Sequence, residues 1–104
     1  MSKAYTDDQI QEQFLTYIHS LVEYWENEKS EPTTKGKLEG LAFSILSLID
    51  GNTVLPSFEL KSISSEEDIE YYKKQGEDYF PLISGDIAGS LHERFYEIKK
   101  TKEW

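Results

Sequence analysis

The sequence predicts an all-α, four-helix bundle-like single domain over residues 1–104, with one extended crossover whose alternation also allows a short edge strand near 57–62. Three observations predict it. Apolar residues recur at steps of three and four in four separate windows, the period of an amphipathic helix. Each window follows a Thr, Ser or Asp suited to capping free backbone N–H groups. Only one stretch alternates apolar and polar residues, and no second strand stands out to pair with it.

The first helix opens at Thr6-Asp7-Asp8-Gln9, where Thr6 and Gln9 can satisfy each other's backbone donors as a capping box. Asp7 and Asp8 suit its positive end. Ile10, Phe14, Ile18, Leu21 and Trp25 form its stripe, widened by Leu15, Tyr17 and Val22. The spacing predicts a helix over 7–28, ended by Pro32, which disfavours helical geometry at the residue before it.

Thr33 or Thr34 caps a second helix running to Asp50, through the stretch LEGLAFSILSLIDG. Leu38, Leu41, Ala42, Ile45, Leu48 and Ile49 make one face, and Phe43 and Leu46 extend it, so the helix belongs in the middle of the domain. Its uncharged run, Gly40 to Ile49, is ten residues; spanning a bilayer takes about twenty. Gly40, Ser44 and Ser47 offer a small-residue seam for the close approach of another backbone, and Gly51 supplies a left-handed cap.

Phe58, Leu60 and Ile63 alternate with Glu59 and Lys61 along the crossover. The pair Ser64-Ser65 offers a capping serine for a short third helix over 66–75, ending at Gly76. One of the neighbours Tyr71 and Tyr72 is expected in the core and the other outside, because they stand about 100° apart on a helix. The aromatic loop 77–85 is expected to pack on the core. Asp86 is expected to cap the last helix, whose apolar line is Ile87, Leu91, Phe95 and Ile98, with Lys99, Lys100 and Lys102 at its negative end.

A chain of 104 residues buries roughly two-thirds of its unfolded surface when compact. With 38% hydrophobic and 13% aromatic residues it belongs with folded chains, despite 30% charged residues and a net charge of −9. The charge is sorted along the chain. Residues 1–31 and 66–91 are strongly acidic, whereas 32–65 carry as many bases as acids. Such a surface repels phosphate backbones, so direct nucleic-acid binding is not expected. The absence of cysteine excludes disulfides, thiolate nucleophiles and Cys-ligated metal. The first residues do not form a basic segment followed by an apolar one, so we expect a cytoplasmic protein without a membrane segment.

No phosphate loop, nucleophile elbow, dinucleotide fingerprint or calcium loop occurs, and the carboxylates lie in runs with cations beside them. The expectation is a non-enzymatic protein without a cofactor. The segment that speaks of partners runs from Glu66 to Pro81. Its Tyr71 and Tyr79, among Glu66, Glu67, Asp68, Glu70, Glu77 and Asp78, suit a basic protein partner: tyrosines give contact area and the acids attract cations. Closing the bundle is the other use for those aromatics. The alternative function is a small-ligand or metal-binding helical domain, in which His19 and Glu23 converge with His92 and Glu93 if the first and last helices are neighbours. Neither histidine has the Glu-x-x-His spacing usual in helical metal sites. A homodimer through spare apolar surface on the first helix, or through Trp104, is a further option.

The motifs KLEGLAFSILSLIDG, LPSFEL, GEDYFP and DIAGSLHERFY together resemble a small uncharacterised bacterial family with the pattern LEGLAFS-ILDG, LP-F, GE-Y-P and DI-G-LHE-FY, over roughly residues 10–96. The resemblance implies a bacterial or prophage source and brings no established activity, so no residue role transfers with it. A looser similarity, in Tyr71, Tyr72, Tyr79 and Pro81, is to the nuclease-colicin immunity proteins, acidic helical domains that occlude a basic partner; the spacing differs, and it serves as an analogy.

Overall fold

A computed structural model describes residues 2–102, with side chains through residue 98. Trp104 lies outside the described residues, as do the side chains of Lys99, Lys100 and Lys102. The chain is all-α, with four helices in the order α1 (Asp7–Asn27), α2 (Thr34–Asp50), α3 (Glu66–Lys74) and α4 (Leu91–Lys102).

Local chemistry sets the first three starts as expected. Thr6 and Gln9 form a full capping box: Thr6 Oγ1 accepts from the Gln9 N–H at 3.2 Å, and Gln9 Oε1 accepts from the Thr6 N–H at 2.9 Å. Thr33 accepts from the Gly36 N–H and Ser65 from the Asp68 N–H, so each satisfies one orphan donor of its helix. α2 stops at Gly51, whose φ of 89° lies in the left-handed region that glycine enters without strain. The N–H groups of Gly51 and Asn52 then close back on Leu48 and Ser47.

α2 is the hub. It packs against α1 on one side and α4 on the other, while among the described residues α1 and α4 share no contact and α3 meets no other helix. The α1 contact centres on Trp25. Its indole lies over Gly40, so closely that a methyl there would stand 2.5 Å from the ring, and its Nε1–H donates to Ser44 Oγ at 3.0 Å. Gly40 and Ser44 of the expected seam therefore receive the Trp25 side chain of α1 where a backbone was expected. Aromatic ring contacts fix the other joints. Phe14 meets Phe58 edge-on at 5.1 Å, holding the crossover to α1, and Phe43 of α2 meets His92 and Tyr96 of α4, each at 5.6 Å.

The crossover does not form a strand. Its extended backbone runs beside residues 82–87 through scattered bonds: the Leu60 N–H donates to Asp86 Oδ1, the Ile87 N–H to the Leu60 carbonyl, and Ile63 and Ile83 make a single antiparallel bridge. The partner segment was hidden in sequence because Ser84-Gly85-Asp86 breaks any alternation.

The last helix begins later than expected, at Leu91 instead of after Asp86. Asp86 is occupied elsewhere, its Oδ1 accepting from the Leu60 and Ala88 N–H groups. Gly89, at φ 114°, then turns the chain out of helical geometry. Ile87 is consequently outside α4 and exposed.

The result is a thin layer, 51 × 49 × 18 Å, with a radius of gyration of 17.8 Å. Leu48 is the one large side chain fully buried among the described residues. Leu48→Ala should cost about 2–5 kcal/mol, whereas Ile63→Ala, at a side chain 79% exposed, should be nearly neutral; urea unfolding of the two variants checks the contrast.

Candidate functional site

Residues 62–84 form an arm. Its base is closed by the Ser64 N–H donating to the Leu82 carbonyl, the Ser84 N–H donating to the Ser62 carbonyl, and the Ile63–Ile83 bridge. Between these bonds lies α3, with Glu66, Glu67 and Asp68 in its first turn and Lys73 and Lys74 in its last, an order that suits the helix dipole. The chain then turns at Gly76 and folds back along α3. Lys73 Nζ sits 5.0 Å from the centre of the Tyr79 ring, a cation–π contact that holds the return segment to the helix.

Two expectations about this segment are corrected. Neither Tyr71 nor Tyr72 is core; both are exposed, and their rings meet edge-on at 5.4 Å. The loop 77–85 does not pack on the domain core either. Tyr79 is 49% and Phe80 72% exposed, and together with Tyr72, Ile69 and Ile63 they line an open depression of about 600 Å³ on the arm itself. The physical reason is that α3 meets no other helix, so its aromatics find partners only within the arm. Glu66, Glu67, Asp68, Glu70, Tyr71, Glu77, Asp78 and Tyr79 all lie on this arm and are all exposed.

The structure does not bring the four metal candidates together. His19 and Glu23 are exposed on α1, His92 and Glu93 stand on α4, and those helices share no contact. His92 Nε2 approaches Glu93 Oε1 at 3.9 Å, and no group of three or more His, Cys, Asp or Glu side chains is arranged to hold a metal ion among the described residues.

His92 belongs instead to a junction between α2 and α4. Asp50, the last residue of α2, accepts from the Gly89 N–H at 2.7 Å, from the His92 N–H at 2.9 Å and from the His92 ring Nδ1 at 2.5 Å. It thus caps α4 from a different helix, and its side chain has no exposed surface. Burial pushes the Asp50 carboxyl up, but the hydrogen bonds from the His92 ring and from the His92 and Gly89 backbones outweigh it and hold the group below the usual aspartate range. Asn52 Nδ2 lies 3.0 Å from His92 Nε2; with Nδ1 donating to Asp50, Nε2 accepts from that amide. An Asp–His pair can orient a general base, but here the far nitrogen is met by an amide, and the geometry performs a joint.

Sequence reasoning missed Asp50. The signal available was its position: an acid at the C-terminal end of a helix opposes the helix dipole and so points to a partner elsewhere.

A further carboxylate, Glu28, closes the α1–α2 corner. The Ser30 N–H, the Tyr24 hydroxyl and the Ser30 hydroxyl donate to it and pull its carboxyl down to about 2, while the same contact raises the Tyr24 hydroxyl. This corner is local bracing of the turn.

The chain matches no protein family model, no curated protein and no solved structure.

Asp50→Asn should cost about 1.5–3 kcal/mol at neutral pH, because it replaces a charged acceptor of three hydrogen bonds. The folded carboxyl is depressed, so its contribution is complete above the ordinary aspartate value of about 3.9 and disappears as pH falls through the lower folded value. Denaturant titrations of both proteins from pH 7 down to acid should show the gap closing only below about pH 4.

Proposed function

We propose that this chain is a non-enzymatic protein-interaction module that presents the acidic, tyrosine-containing arm to a basic protein partner. The observation that carries the reading is the arm's isolation: α3 touches no other helix, yet it holds Tyr71 at 59% and Tyr79 at 49% exposure among Glu66, Glu67, Asp68, Glu70, Glu77 and Asp78. Exposed tyrosines give a partner large amphipathic contact area at low entropic cost, and the surrounding acids supply attraction and orientation. The closed base at Ser62–Ser64 and Leu82–Ser84 gives the arm a defined shape, which lowers the ordering cost of binding. A nucleic-acid partner is disfavoured by the same charge, −9 for the chain. No described helix is long and apolar enough to cross a membrane. The cytoplasmic setting expected from the sequence belongs to this proposal, and the resemblance to an uncharacterised bacterial family adds no activity to it.

The test titrates a Lys/Arg-rich helical peptide and a basic globular protein into the intact chain, at low and high salt. Binding should weaken steeply with salt, since exposed charges are screened over about 8 Å at physiological ionic strength. A Glu66→Lys, Glu67→Lys double variant should bind at least about tenfold more weakly, a loss of about 1.4 kcal/mol. Tyr71→Ala and Tyr79→Ala should each weaken binding without altering the salt slope, and Tyr71→Ala should leave the melting temperature almost unchanged because its ring is exposed. Salt-independent binding, or binding indifferent to both the charge and the tyrosine variants, contradicts the proposal.

A further inference from the structure

Along the crossover the backbone alternates as it does in a strand. The N–H groups of Phe58, Leu60, Ser62 and Ser64 donate inward, to the Ile49 carbonyl, Asp86 Oδ1, Ser84 Oγ and the Leu82 carbonyl. The Leu60 and Ser62 carbonyls accept on the same side, from the Ile87 and Ser84 N–H groups. Bonds at every second residue mark an extended chain, whose intervening N–H and C=O groups point the opposite way. Those groups belong to Glu59, Lys61 and Ile63. Their backbones form no hydrogen bond among the described residues, and residues 59–63 are all exposed.

Such a row is an open edge, a template for one more strand. The backbone accepts any extended chain, so the side chains choose. Glu59 and Lys61 share one face of the segment, and their charged ends lie 3.4 Å apart. Charges on an edge deter an ordinary incoming strand, which brings them no counterpart. A second copy brings one. Laid antiparallel with Leu60 opposite Leu60, it places Lys61 opposite Glu59 and Glu59 opposite Lys61, and the outward N–H and C=O groups of these residues then meet as hydrogen-bonded pairs. Sliding the copy by two residues sets Glu59 against Glu59 or Lys61 against Lys61, and a parallel copy in register does both. One register of one occupant satisfies backbone and charge together.

We infer that two copies of this chain pair edge to edge about a two-fold axis at Leu60, with Glu59 and Lys61 of each bonded to Lys61 and Glu59 of the other. The ladder is short, and the charge of −9 on each copy opposes their approach, so the pairing is weak and concentration-dependent. It uses neither the acids nor the tyrosines of the arm and stands independently of the arm's partner.

Sedimentation equilibrium of the intact chain from about 1 μM to about 1 mM should show the mass rising from 12.1 kDa towards twice that value. Glu59→Lys and Lys61→Glu should each stay at the single-chain mass, because like charges then face each other across the axis. Mixed in equal amounts they should associate as the wild type does, since one offers two bases and the other two acids in the same register. Both should keep the wild-type circular dichroism, because the ion pair they remove is exposed. Hydrogen exchange at the Glu59 and Lys61 amides of the wild type should slow as its concentration rises, a reading that stands even if a variant fails to fold. The arm variant Glu66→Lys, Glu67→Lys should associate unchanged, which separates failure of this inference from failure of the arm reading. A wild type that holds the single-chain mass to about 1 mM, exchange at Glu59 and Lys61 that ignores concentration, a folded single variant that associates as the wild type does, or a mixture of folded variants that stays at the single-chain mass overturns the inference.

Discussion

The seat of Trp25 on α2 is the contact on which the rest of the molecule depends. Gly40 leaves room for the indole face, Ser44 takes its N–H, and together they fix how α1 lies on α2. A half-buried indole N–H does best with an acceptor, so the hydrogen bond favours one ring orientation while the glycine sets the depth. One turn further along, Leu48 is fully enclosed. The other end of α2 is then pinned by Asp50, which reaches across to cap α4 through Gly89 and His92. Two polar side chains, Ser44 and Asp50, therefore position two neighbours on a helix whose apolar surface alone would accept them in many orientations.

This economy explains the molecule's shape. With α2 as the common neighbour and no contact between α1 and α4, the helices lie side by side and enclose little. The arm at 62–84 stands apart from these helices, since α3 packs against none of them among the described residues. Its stability rests on its own base bonds and on Lys73 over Tyr79.

Much of the fold was legible because it is written in local chemistry. Thr6 with Gln9, Thr33, Ser65 and Gly51 announce helix ends through bonds made within a few residues, and the α1 and α2 stripes follow from period alone. What was not legible depends on contacts far apart in sequence. Asp86 carries every local mark of an N-cap, yet it bonds the Leu60 N–H, 26 residues away. Asp50 carries no such mark and caps a helix some 40 residues on. Tyr71, Tyr72 and the 77–85 loop have the apolar content of core residues, and only the absence of any helix against α3 leaves them outside. At the candidate site, the acids and tyrosines of the arm were identifiable by composition. The separation of His19 from His92 was not, because it depends on which helices are neighbours.

The most direct test of this account is the unfolding free energy of Gly40→Ala, measured by denaturant titration. In an ordinary helix interior the change stabilises by about 1 kcal/mol. Here the new methyl would meet the Trp25 ring at 2.5 Å, so the ring must leave its seat and the variant should lose about 1–3 kcal/mol. A variant as stable as the wild type, or more stable, would contradict the claim that Trp25 on Gly40 and Ser44 sets the arrangement of α1 and α2.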